Sequence, residues 1–144
     1  MKMSTKGRYG LRAIVDLAIH SFGEPVSLKS IAERQKISDT YLEHVFSTLR
    51  KAGLVKSIKG AQGGYILADK AANITVGQVL RAVEGNFMIV DEETIYTPIE
   101  HCLKKNIWNP VNTAVNQLVD SITLEDLVNE YKRTHDPESL MYYI

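Results

Sequence analysis

Apolar residues recur at three- and four-residue spacing through Leu11, Ile14, Val15, Ala18, Ile19 and Phe22. With Ser4 able to accept from the first free backbone N–H groups, this spacing predicts a helix from about Thr5 to Ser21. Gly23-Glu24-Pro25 stops it. Ser27 then caps a short helix, Leu28–Gln35, that buries Leu28, Ile31 and Ala32. Ser38 caps a third through Ala52, with Tyr41, Leu42, Val45, Phe46 and Leu49 facing inward, and Gly53 closes it in a left-handed conformation. The period then falls to two. Residues 55–59 and 65–67 alternate apolar and polar around Gly60-Ala61-Gln62-Gly63-Gly64, which predicts a β-hairpin whose tip needs positive φ angles.

Thr75 caps a further helix, Val76–Glu84, ended by Gly85. Residues 86–98 are acidic, close on Pro98 and read as a loop. Beyond them Leu103, Ile107, Val111, Val115, Leu118 and Ile122 form one apolar stripe on a long helix. Pro110 interrupts it, either as a kink or as a fresh start with Asn109 as cap. Thr123 caps a last helix, Leu124–Tyr131, and the remaining residues look extended. Two short helices around a tight turn followed by a β-hairpin describe a winged helix-turn-helix. The expected fold is mainly α with one small hairpin. Residues 1–84 would form a DNA-binding domain, 85–131 a loop and dimerisation helices, and 132–144 a tail.

At 144 residues the chain fits one modest domain with an arm. Its formal charge of zero hides an asymmetry. Residues 1–70 hold twelve Lys/Arg against six Asp/Glu, and the rest hold five against eleven, so the halves carry +6 and −6. A basic half suggests a polyanionic partner, with an ordinary dipolar surface as the alternative. A single cysteine, Cys102, excludes an internal disulfide framework. No apolar run approaches a membrane span and no secretory pattern opens the chain, so a cytoplasmic protein is expected.

In a helix-turn-helix the second helix enters the major groove by its N-terminal end. Thr40, Glu43 and His44 share one side of that end. A carboxylate accepts from cytosine N4 and repels phosphate, so Glu43 selects sequence rather than adding affinity. Lys59 and the tip residues Gly60, Gln62, Gly63 and Gly64 suit a wing approaching the sugar-phosphate wall. Thr5, Lys6, Arg8 and Arg12 cluster where a helix start favours phosphate, and Ser38 and Tyr41 begin the reading helix. A solvated helix face and an idle hairpin are the plain alternatives. No catalytic constellation stands out: His101 adjoins Cys102 but points elsewhere on a helix, and the other histidines are scattered. The chain is expected not to be an enzyme.

Ser4-Thr5-Lys6-Gly7-Arg8-Tyr9-Gly10-Leu11, Ser38–Glu43 and Gly53-Leu54-Val55 through Gly63-Gly64-Tyr65 resemble the IscR/CymR/NsrR family of bacterial winged-helix regulators. The resemblance continues through Ile74–Glu84, Leu103–Trp108 and Ser121–Leu124. It implies a homodimer that presents two winged motifs to an inverted repeat in double-stranded DNA. Some such regulators hold an iron–sulfur cluster with regularly spaced cysteines and a histidine. Those positions fall here on Val90, Tyr96, Cys102 and Lys105, and one thiolate does not make the usual ligand set. The resemblance therefore implies no cofactor and no metal, with an iron–sulfur or redox sensor of the same family as the alternative. Leu140-Met141-Tyr142-Tyr143-Ile144 resembles the tail of the cluster-free branch that represses cysteine-metabolism genes together with cysteine synthase. That similarity implies a partner-binding tail of Tyr142, Tyr143 and Ile144, the alternative being a tail packed on its own dimer. An adaptor that has kept the fold without binding DNA is a further alternative.

Overall fold

Each of the first three helices begins where a serine hydroxyl takes up a free backbone N–H. Ser4 accepts from Gly7, Ser27 from Ser30 and Ser38 from Tyr41, all at 3.2 Å, satisfying donors that the helix itself leaves unpaired. The helices are α1 (Thr5–His20), α2 (Leu28–Gln35) and α3 (Asp39–Lys51), in a computed structural model that describes residues 3–86 and 97–135. Gly53, at φ +78°, ends α3 in the expected left-handed turn.

The buried face of α1 is only in part the expected one. Ala13, Ile14 and Leu17 are inaccessible, whereas Leu11, Val15, Ala18 and Ile19 are half-buried and Phe22 is 79% exposed. Small residues decide this. Gly7 and Gly10 lie where α1 meets α4 (Val76–Glu84), and a Cβ on Gly10 would sit 3.3 Å from a Val83 methyl. The helices close on their smallest side chains, so Leu11 and Val15 reach only the margin of the core and Phe22 is left outside it.

β1 (Val55–Ile58) and β2 (Gly64–Leu67) pair antiparallel, with Val55 opposite Leu67 and Ile58 opposite Gly64. Val26 adds one rung: its N–H donates to the Tyr65 carbonyl (2.9 Å), and the Tyr65 N–H donates back (2.8 Å). Gly64 makes that approach possible, because a Cβ there would lie 2.3 Å from the Val26 carbonyl oxygen. The buried Phe46 ring of α3 meets Tyr65 at 4.9 Å between centroids, joining the hairpin to the helix before it.

The C-terminal part departs further from expectation. Thr97 accepts from the Glu100 N–H (3.1 Å) and Pro98 opens a helix rather than closing a loop. This helix, α5 (Pro98–Leu103), passes through a π-helical turn, Lys104–Trp108, into α6 (Asn109–Ser121). Asn109 has helical angles (φ −63°, ψ −48°), so it starts nothing afresh. The widened turn just ahead of Pro110 accommodates a residue that brings no N–H.

After α6 the chain runs extended. The Val76 N–H donates to the Ile122 carbonyl (2.8 Å) and the Leu124 N–H to the Ile74 carbonyl (2.9 Å), clasping this stretch to the start of α4. Thr75 and Gln78 cap α4 reciprocally, and Thr123 and Asp126 do the same for α7 (Leu124–His135). α7 continues past Tyr131, its expected end. Leu124 is fully buried in the core formed by α1, α3 and α4. Arg81 on α4 reaches Asp120 (2.7 and 2.8 Å) and Asn116 (2.8 Å) on α6. These bonds hold the Asp120 carboxyl below the usual carboxylate range and lift Arg81 above its own ordinary value. Among the described residues no helix is long and apolar enough to cross a membrane. Residues 87–96 of the expected acidic loop, and the tail residues Tyr142, Tyr143 and Ile144, lie outside the described residues.

Candidate nucleic-acid interface

α2 and α3 meet through Lys36, whose left-handed backbone (φ 56°, ψ 48°) turns the chain so that Ile37 is buried and Ser38 caps α3. The first turns of α3 are sharply divided. Leu42, Val45 and Phe46 are inaccessible on the inner face, while Thr40, Glu43 and His44 are exposed together on the outer one. A carboxylate and an imidazole on one exposed helix face can accept from and donate to base edges. The Ser38 hydroxyl is engaged by the Tyr41 N–H. Tyr41 is half-buried, its ring meeting Tyr9 edge-on at 5.7 Å. The Arg12 guanidinium lies 4.9 Å from the centroid of that same Tyr9 ring, which brings together Arg12 and Tyr41, two residues far apart in sequence.

On the hairpin, Lys59, Gly60 and Gln62 are exposed at the tip, and Lys56 is exposed on β1. Gly60 has φ +114°, and its carbonyl accepts from the Gly63 N–H (3.0 Å), closing the turn. Gly63 and Gly64 are half-buried at its base.

At the entrance of α1, Thr5, Arg8 and Arg12 are exposed and Lys6 is half-buried. The expectation that unpaired N–H groups here attract phosphate needs correction. The Glu84 carboxylate accepts from the Gly7 N–H (3.0 Å) and from the Ser4 hydroxyl, so the chain's own anion occupies the helix start. With the Gly7 N–H taken up in this way, the exposed side chains of Thr5 and Arg8 are what this end chiefly offers to a phosphate. Arg12, moreover, donates to the Gln35 carbonyl at the end of α2.

The stripe on the long helix is largely open to solvent: Leu103, Ile107, Val111 and Leu118 are exposed, while Val115 and Ile122 are half-buried. Ile99, one turn earlier and 73% exposed, extends it and was missed because Pro98 read as loop. A groove of about 740 Å³ runs between α1 and α7, lined by Leu11, Val15, Ile19, Leu127 and Tyr131 and also by Arg8 and Arg12. Large apolar surface left open on a folded chain marks an interaction site.

For iron, the donor set is poor. No group of three or more His, Cys, Asp or Glu side chains among the described residues could hold a metal ion. Cys102, the sole cysteine of the sequence, is exposed, with the Asn106 amide 3.6 Å from its sulfur. One thiolate per chain does not fit a cluster normally held by four ligands.

A helix pair with a tight turn, an attached β-wing and a divided second helix define a winged-helix transcription regulator. A family profile, Rrf2, described as iron-dependent transcriptional regulator, matches residues 3–130. The chain belongs to that family, and it is a regulator rather than an enzyme. It is 43% identical over 144 residues to the HTH-type transcriptional regulator CymR of Bacillus subtilis (strain 168), covering all of both chains. Among solved structures, CymR (YrzC), the global cysteine regulator of B. subtilis, is 44% identical with a TM-score of 0.80, covering 90% of this chain and 98% of that one. T. potens IscR has the same identity and TM-score and covers 99% of this chain and 97% of its own.

Proposed function

We propose that the protein is a homodimeric, sequence-specific repressor of cysteine or sulfur metabolism genes that needs no iron–sulfur cluster. Residues 1–84 engage DNA, the helices within 85–131 carry dimerisation, and 132–144 form a partner-binding tail. The observation that carries the DNA reading is the division of α3. Thr40, Glu43 and His44 are solvent-facing at the end that a groove admits, while Leu42, Val45, Phe46 and Leu49 are committed to the core. Lys59 and the wing tip serve the adjoining groove, and Thr5, Lys6, Arg8, Arg12, Ser38 and Tyr41 serve phosphates. The stripe of Leu103, Ile107, Val111, Val115, Leu118 and Ile122 pairs two copies. Half-sites then lie about one helical turn, ~34–36 Å, apart.

Glu43→Ala tests the reading. The variant is expected to tolerate the wrong base at one position per half-site, losing about 1–3 kcal/mol of discrimination, while its affinity for random duplex is maintained or rises. Competition binding against a duplex library measures both. Equal loss on specific and random DNA contradicts a base-reading carboxylate.

Likeness to a global cysteine regulator supports the metabolic assignment, and the single cysteine supports its cluster-free form. Cysteine synthase is the proposed partner, captured through Ile144 with Tyr142 and Tyr143 adding contact area. Deleting Ile144 is expected to remove heat of binding to cysteine synthase in calorimetry and to leave DNA affinity unchanged. Undiminished enzyme binding contradicts the tail's role. Likeness to T. potens IscR favours a second reading, an iron or redox sensor. Visible absorption by anaerobically purified protein would support it.

A further inference from the structure

Asp16 lies mid-helix on α1 and is 2% exposed. Its carboxylate accepts from Arg34 Nε (3.0 and 3.2 Å) and from the second Arg34 guanidinium nitrogen (2.7 Å). It also accepts from Gln35 Nε2 (2.7 Å), and His20 Nδ1 stands 3.4 Å away. Arg34 is pushed above its ordinary value, first by this hydrogen bond. Gln35 is thus gripped twice from α1, by Asp16 at its side-chain amide and by Arg12 at its carbonyl. The next residue, Lys36, has the only positive φ of any non-glycine among the described residues. A side chain in that conformation is held there by its surroundings rather than by preference. Ile37 and Ser38 follow, and α3 begins.

Resting on the DNA reading above, we propose that Gln35, fixed by Asp16, is a positioning residue for sequence recognition, setting the angle at which Thr40, Glu43 and His44 meet the bases. A buried carboxylate is a costly way to join two helices that already share Ile14 and Ile31 in one core. Apolar packing holds helices together but lets them slide, whereas bonds of fixed length to one side-chain amide and one carbonyl fix the last turn of α2. Gln35 is the point where that constraint passes to the turn. Its side-chain amide and its carbonyl are both turned to α1, so it acts on recognition through the turn.

Gln35→Met keeps length and helix preference and deletes the donor to Asp16. Affinities of the full-length dimer for a selected operator and for a random duplex of equal length, at one salt concentration, test the role, with thermal melting as the control for folding. The expected result is about a tenfold fall in the operator-to-random ratio with random binding unchanged. Asp16→Asn, which retains an acceptor but not the charge, moves the ratio the same way and is the second variant should Gln35→Met melt early. Since a merely structural role would move melting without moving the ratio, an unchanged ratio in a folded variant overturns the proposal. Wild-type protein that shows no preference for any duplex overturns the DNA reading itself, and the positioning role with it.

Discussion

A chain carrying Ile107→Asp and Leu118→Glu is expected to sediment as a folded monomer and to bind its operator about a thousandfold more weakly or worse. Leu118 is 61% exposed and Ile107 43% exposed on the described chain. Neither supports the protomer's own core, so charge there leaves folding nearly intact. It does place unpaired carboxylates in the seam where two stripes would meet, and burying them is prohibitive. Without pairing, each winged module has only one half-site. Its affinity then approaches the non-specific level, which for such proteins lies about 10³–10⁷-fold below specific binding. Light scattering after gel filtration and a quantitative gel shift measure the two effects. A variant that remains a dimer, or a monomer that binds as tightly as the parent, contradicts the role given to the stripe.

Phe46→Ala is the substitution expected to cost the most stability, about 3–5 kcal/mol, as for other large aromatic truncations in cores. Phe46 is fully buried on α3 and its ring sits 4.9 Å from Tyr65. Tyr65 in turn exchanges two backbone bonds with Val26. Truncation therefore opens a cavity under the wing as well as in the core. Melting should fall by roughly 10 °C for a domain of this size. Denaturant unfolding monitored by circular dichroism measures the loss, and a change below about 1 kcal/mol would mean that the core collapses to fill the gap.

Local chemistry explains why so much of the fold is legible in the sequence. Ser4, Ser27, Ser38, Thr75 and Thr123 are caps whose partners lie three residues on, so a short window contains the whole interaction. Gly53 announces its turn in the same way. What escaped the sequence is what distance decides. Helix α1 has apolar residues on more than one face, and only the close approach of Val83 to Gly10 selects the face with Ala13 and Leu17. Glu84 neutralises the start of a helix 77 residues away, and Asp16 meets Gln35 across 19. The clasp between Ile122 and Val76 brings α7 back to the core, and no period in the sequence reports it. By sequence Pro98 reads as the end of a loop and Pro110 as a kink or a fresh start, yet one opens a helix and the other follows a widened turn inside one.

For the interface, residue type and spacing put Thr40, Glu43 and His44 on one accessible face, and the structure has them there. The same logic could not find Gln35 or the groove beside α7, because both are assembled from helices that only meet after folding. Asp16 was the one available signal: an acid among apolar neighbours in the middle of a helix.

Two copies joined through α6 are proposed to read two half-sites on one face of the duplex. Inserting five base pairs between the half-sites of a selected operator rotates one by about half a helical turn relative to the other. Binding measured on the parent and the inserted duplex should differ by at least a hundredfold, with much of the loss recovered when ten base pairs are inserted. Equal affinity for all three duplexes would mean that the winged modules act singly and would contradict pairing through α6.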